Sequence, residues 1–129
     1  MSTVLADSFA AFVALCEGGR TLEAIERFYA DDVVVHENAE RARVGREACL
    51  GAERDALAAS VHAPTLRARA RACDEVHGVS FVEWTIRFVS PEGHVMRLDE
   101  VARQTWSRGR IVEERFYYEG VVDEGPLDA

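Results

Sequence analysis

Val95 to Glu119 reads VMRLDEVARQTWSRGRIVEERFYYE, and the reading of this stretch decides the fold. A turn at Ser107-Arg108-Gly109-Arg110 divides it into two runs. Side chains alternate along both, and a period of two assigns each alternate set to its own face of a sheet. Met96, Leu98, Glu100, Ala102, Gln104 and Trp106 share one face of the first run. Val112, Glu114, Phe116 and Tyr118 share one face of the second. The stretch is therefore read as a β-hairpin with a mostly apolar inner face that carries Glu100, Gln104 and Glu114. Polar groups in such positions line a cavity, unless a bulge shifts the register and turns them to solvent.

Working outward, Ser80 to Val89 sets Val82, Trp84, Ile86 and Phe88 on one face. Leu66 to Cys73 (LRARARAC) sets Leu66 and three alanines against Arg67, Arg69 and Arg71. His77-Gly78 and Pro91-Glu92-Gly93 mark the turns. Val33 to Glu37 is short and β-branched, hence a further strand. Helical spacing appears at Leu5, Phe9, Phe12, Val13 and Cys16, and Gly18-Gly19 closes that helix. Thr21 is the expected N-cap of a second helix that buries Leu22, Ile25, Phe28 and Tyr29 and stops at Asp31-Asp32. Asn38 to Arg43 reads as a loop, and a third helix opens at Gly45 or Arg46 and runs to about Ala59. The order helix, helix, strand, helix, then four long strands predicts an α+β fold. An antiparallel sheet curls around helices held on one face. Residues 1–120 are read as one domain and 121–129 as a mobile acidic tail.

A chain of 129 residues that is 48% hydrophobic can bury an ordinary core. Its formal net charge of −8 excludes the basic footprint that nucleic-acid binding requires. Three cysteines, an odd count without CxxC spacing, are read as packed, reduced thiols. No apolar run approaches the roughly 20 residues of a membrane span. The N-terminal MSTVLADSFAAF lacks the pattern of a signal peptide. A cytoplasmic protein without membrane or nucleic-acid partners is expected. His36, His62, His77 and His94 show no ligand spacing, so neither a metal nor another cofactor is expected.

Three strings carry a resemblance: FYADDVVVHE at Phe28 to Glu37, GREA at Gly45 to Ala48, and GRIVEERFYY at Gly109 to Tyr118. In this order and spacing the chain resembles the nuclear transport factor 2-like superfamily, in its SnoaL-like and ketosteroid-isomerase-like branch. The resemblance implies a cone of three helices on a strongly curved sheet, with a pocket at the wide end and a homodimer as the common assembly. It also implies a role for Glu37, which matches the carboxylate base of the isomerase-like members. Two departures count against steroid isomerisation. The first helix offers Phe9 and Phe12 but no tyrosine, and Ala102 stands where those isomerases hold a protonated aspartate. Without such donors the developing oxyanion loses its main electrostatic support. The resemblance then points to a SnoaL-like reaction, proton abstraction beside a carbonyl leading to ring closure.

The expected catalytic residues are Glu37, Glu100 and Glu114, with Trp84, Gln104, Phe116 and Tyr118 as ligand contacts. A carboxylate in an apolar cleft has a raised pKa and suits proton exchange with carbon acids. Aromatic walls suit a small, mostly apolar molecule. The expected activity is that of a lyase, isomerase or cyclase; the alternative is a non-catalytic binding or protein-interaction module of the same fold. Epoxide hydrolysis also occurs on this fold, where two carboxylates and an arginine activate water. No inward arginine is evident in the sequence.

Overall fold

The computed structural model describes residues 4–128, so Met1 to Thr3 of the N-terminal stretch and Ala129 of the expected tail lie outside it. Helix α1 (Val4–Glu17) buries Phe9, Phe12, Val13 and Cys16 of the stripe that the helical spacing predicts, and leaves Leu5 half-buried. Helix α2 (Thr21–Phe28) follows at once and buries Ala24 and Phe28. Thr21 does not cap it: Arg20 flanks the helix, and the Thr21 hydroxyl reaches across to Glu53 instead. Strand β1 (Tyr29–Glu37) begins on the next residue, so Tyr29 belongs to the sheet rather than to the helix. Asp31 and Asp32 do not end a helix. They lie in an exposed irregularity where β1 advances from Tyr29 to Val34 while its partner strand advances only from Ile111 to Glu113.

Part of the expected loop is a two-residue strand, β2 (Arg43–Val44), paired antiparallel to β1. Gly45 turns the chain from β2 into helix α3 (Arg46–Ala58). Its φ of 97° is a conformation open to glycine, and its N–H donates to the Val33 carbonyl at 2.7 Å. Five strands complete the chain: β3 (Thr65–Asp74), β4 (Val79–Val89), β5 (His94–Ser107), β6 (Arg110–Tyr117) and β7 (Val121–Pro126). The sheet order is β2-β1-β6-β5-β4-β3, with β7 added to β5. The fold is thus α+β, three helices packed on a curved, open sheet. Its one departure from an all-antiparallel sheet is β1, which runs parallel to β6. Val121 to Pro126, expected to trail as a mobile tail, pairs with β5, and Glu124 accepts hydrogen bonds from Arg87 and Arg97.

Two bulges change the expected register. In β6, Trp106 pairs with Ile111 and Thr105 with Glu113, which leaves Val112 as the extra residue. Ile111 is therefore the fully buried residue at the start of the strand, where the alternation had placed Val112. In β3 the extra residue is Arg69, between Ala68 opposite Trp84 and Ala70 opposite Glu83. Beyond it Arg71 lies opposite the buried Val82, on the inner side, and Ala70 and Ala72 move to the outer side. A bulge bends and twists its strand, which suits a sheet that wraps around helices. Strand β5 keeps its alternation, with Glu100, Ala102, Gln104 and Trp106 all buried.

Trp106 packs edge-on against Phe12 and Phe28, with ring centroids 6.3 and 5.9 Å away. Cys16 and Cys49 are buried free thiols as expected, whereas the free Cys73 is exposed. Among the described residues no helix is long and apolar enough to cross a membrane.

Candidate active site

Register brings the polar inner residues together. One rung of the sheet holds Ser80, Gln104, Glu114 and Val35, from β4, β5, β6 and β1 in turn. The next holds Val82, Ala102, Phe116 and Glu37, and the third sets Trp84 opposite Glu100. Glu114, Glu37 and Glu100 thus occupy three successive rungs of one face, each about 7 Å from the next along the strands. All three line a cavity of about 410 Å³. The sheet also contributes Trp84 and Phe116, and the helices close it with Phe12 and Cys16 of α1, Ala24 of α2 and Glu53 of α3. Gln104 and Tyr118 are not part of the wall; each instead holds one of the carboxylates.

Gln104 belongs to a chain of buried hydrogen bonds that runs from Trp106 to Glu114. The Trp106 indole N–H can only donate, and it does so to Ser80 Oγ at 2.8 Å. The Ser80 hydroxyl then donates to Gln104 Oε1 at 2.7 Å. The amide then points its Nε2 at Glu114 Oε2, donating at 2.7 Å, as an ionised carboxylate requires. The Tyr29 hydroxyl donates to the other oxygen, Glu114 Oε1. Glu114 is therefore held between two donors at the bottom of the cavity. Glu37 is held differently, at the rim. Tyr118 Oη donates to its Oε1 at 2.9 Å, and Arg43 Nη2 lies 3.5 Å from its Oε2. Asn38 organises this end: it takes the Tyr118 N–H on its Oδ1 at 2.9 Å, while its own N–H donates to the Phe116 carbonyl. His36 projects to the other side of β1, beside Glu113 at 3.5 Å.

The SnoaL-like domain model matches residues 9–114 of the chain. The chain belongs to the SnoaL-like family. No curated protein matches it. Among solved structures, a candidate SnoaL-like polyketide cyclase from Mesorhizobium loti is 24% identical, with a TM-score of 0.74 over 92% of this chain and 100% of that one. The epoxide hydrolase/cyclase-like enzyme SalBIII, of pyran ring formation in the polyether salinomycin, is 14% identical, again with a TM-score of 0.74 over 89% and 90% of the two chains. A candidate SnoaL-like polyketide cyclase from Jannaschia sp. CCS1 is 12% identical, with a TM-score of 0.74 over 91% and 86%. At these identities the likeness is one of fold.

Within this SnoaL-like cone the carboxylates differ in charge preference. Burial raises the pKa of Glu100 to about 8, and the neighbouring Glu114 and Glu37 add to the rise. No described residue hydrogen-bonds its carboxyl, so at neutral pH it is an acid with a proton to give. Glu114 is more deeply buried, which raises its pKa, but the Gln104 and Tyr29 donors hold the value to about 7. Tyr29 is raised well above its ordinary value, first by burial and then by Glu114, so it acts as a donor and not as a base. Tyr118 is pushed up to about 12, by desolvation first and then by its bond to Glu37. Cys16 is strongly raised by burial and Cys49 more mildly, which leaves both as thiols.

Three cavity residues escaped the reading of the sequence. Arg43 reaches the cavity because it pairs with Val35 across β1 and β2, and nothing in a polar loop-like stretch announces that register. It supplies the inward arginine that the sequence had not revealed. Tyr29 was assigned to a helix face, and Glu53 is a half-buried residue of a weakly amphipathic helix, followed by the exposed Arg54 and Asp55. Its only local signal is its spacing of four from Cys49, which puts both on one side of α3.

Proposed function

We propose that this SnoaL-like chain binds a small, mostly apolar carbonyl compound in the cone and catalyses proton transfer on it, as a lyase, isomerase or cyclase. The observation that carries the reading is the convergence on one cavity of about 410 Å³ of three carboxylates in different surroundings, two held by hydrogen-bond donors and Glu100 by none among the described residues. That volume lies within the range of small-molecule sites. Glu37 is the base: it takes a proton from the carbon beside the carbonyl. Glu100 is the acid: its proton passes to the carbonyl oxygen as the enol forms. Burial first, and then Glu114, which Gln104 and Tyr29 hold at the bottom of the site, favour the protonated form of Glu100. A non-catalytic module with a packed cone is disfavoured, because Trp106 is spent in the core and Trp84 lines open space.

A second reading is favoured by Arg43. Water attacking an epoxide carbon gives a proton to Glu37, while Glu100 protonates the epoxide oxygen as its C–O bond breaks. Arg43 beside Glu37 supports charge there. Both readings use the same acid and base. Turnover of an enolisable cyclic ketone (deuterium exchange beside the carbonyl) and of styrene oxide (diol formation) separates them. Glu37→Gln is expected to lower whichever rate is present by at least about 100-fold, the usual scale of a lost general base. Equal rates in the two proteins would remove Glu37 from the mechanism.

The assembly we propose is a homodimer through the outer face of the sheet, where Phe81, Val101 and Tyr117 are 39%, 39% and 46% exposed. A cytoplasmic setting agrees with three free thiols.

A further inference from the structure

The cavity continues past α2 and α3. Thr21, Glu53, Ala56, Leu66 and Ile86 line it and also line a second hollow of about 380 Å³. Beyond this shared collar the second hollow has walls of its own. They come from Leu57 in the last turn of α3, Ser60, Ala63 and Pro64 of the loop that follows, and Phe88 of β4. Phe88 extends the inner face of β4 that begins at Val82 and Trp84. None of Glu37, Glu100 and Glu114 lines this space. The collar has one polar feature: Thr21 Oγ1 donates to Glu53 Oε2 at 2.6 Å. This bond holds the Glu53 side chain at the passage and leaves its Oε1 without a donor among the described residues.

We propose that the second hollow is a binding subsite for the apolar tail of an elongated substrate. The reacting carbonyl lies among the three glutamates. A neutral donor such as a hydroxyl lies at the collar on Glu53, and a hydrocarbon chain or ring fills the space between Leu57, Pro64 and Phe88. The inference rests on the ligand reading of the first cavity. Each hollow alone has the volume of a small-molecule site, so a short ketone is accommodated in one and leaves the other empty. The walls beyond the collar offer contact surface but no group for chemistry, which is the character of a recognition site. Glu53 disfavours an anionic group at the passage, since a like charge there is repelled.

The test is a series of unbranched methyl ketones, pentan-2-one to tridecan-2-one, with binding followed by tryptophan fluorescence. Each methylene that leaves water raises affinity about fourfold, and the rise ends where the cavity ends. Ala63→Phe and Ser60→Trp, both from the segment that follows α3, each plug the second hollow. Both are expected to end the rise at a shorter chain and to weaken the longest ketone by about 16-fold or more, the value of two excluded methylenes. Crystals with 13-bromotridecan-2-one need no variant: bromine density between Leu57 and Phe88 is expected, and bromine elsewhere overturns the subsite. A rise that ends at the same chain length in all three proteins overturns the subsite but leaves proton transfer in the first cavity standing. Failure of every ketone to bind the wild type overturns both.

Discussion

Glu114 shows how a single residue takes its character from its partners. Burial alone would drive its carboxyl further toward neutrality, but two donors oppose that, and one of them is the last member of the chain from Trp106 through Ser80 and Gln104. Gln104→Leu keeps the volume and removes the link. Glu114 then loses one donor, and the fully buried Ser80 hydroxyl loses its acceptor. The expected cost is on the order of 1–3 kcal/mol, read as a shift in the urea midpoint. The Glu114 pKa is expected to rise as well, followed by its carboxyl carbon in NMR. An unchanged midpoint would mean that water replaces the amide.

Strand β5 is the element on which the molecule turns, since among the described residues it alone pairs with three other strands, β4, β6 and β7. Its inner side carries Glu100 and Gln104, and its outer side carries Val101 and Arg103 between the charged rows of β4 and β6. On that outer side Val101 lies opposite both Glu83 and Tyr117. The cluster of Phe81, Val101 and Tyr117 is small, and its charged surroundings make the proposed pairing sensitive to like charge. Val101→Glu adds a carboxylate beside Glu83 in each copy. It is expected to convert a sedimenting dimer to monomer while leaving the circular dichroism of the monomer intact. A species that sediments as monomer in the wild type would discard the proposed interface.

At the scale of the whole molecule, burying acidic groups makes stability depend on pH. Glu100 and Glu114 have folded-state values of about 8 and about 7, against an ordinary 4.5 for glutamate. Raised values mean that the folded chain holds protons the unfolded chain has lost. The contribution of these groups is therefore fully present below about pH 4.5 and is lost as pH rises through 7 and 8. Thermal midpoints are expected to fall between pH 5 and 8. Glu100→Gln, neutral at every pH, is expected to flatten the upper part of that fall. A midpoint that climbs across the same interval would contradict the burial of protonated carboxyls.

The sequence by itself determined the fold class and the inner side of β5, because both follow from local periodicity. A regular strand alternates whatever it pairs with, and helices grouped ahead of long strands leave few ways to cover one sheet face. It also placed Glu37, Glu100 and Glu114 on strands whose inner faces could meet. Tertiary structure decided the rest. The bulges at Arg69 and Val112, the parallel pairing of β1 with β6, and the capture of Val121 to Pro126 by β5 are settled between strands far apart in the chain. The same long-range pairing brings Arg43 to Glu37 and Tyr29 to Glu114. Local alternation says which side a residue faces; only packing says what it meets there.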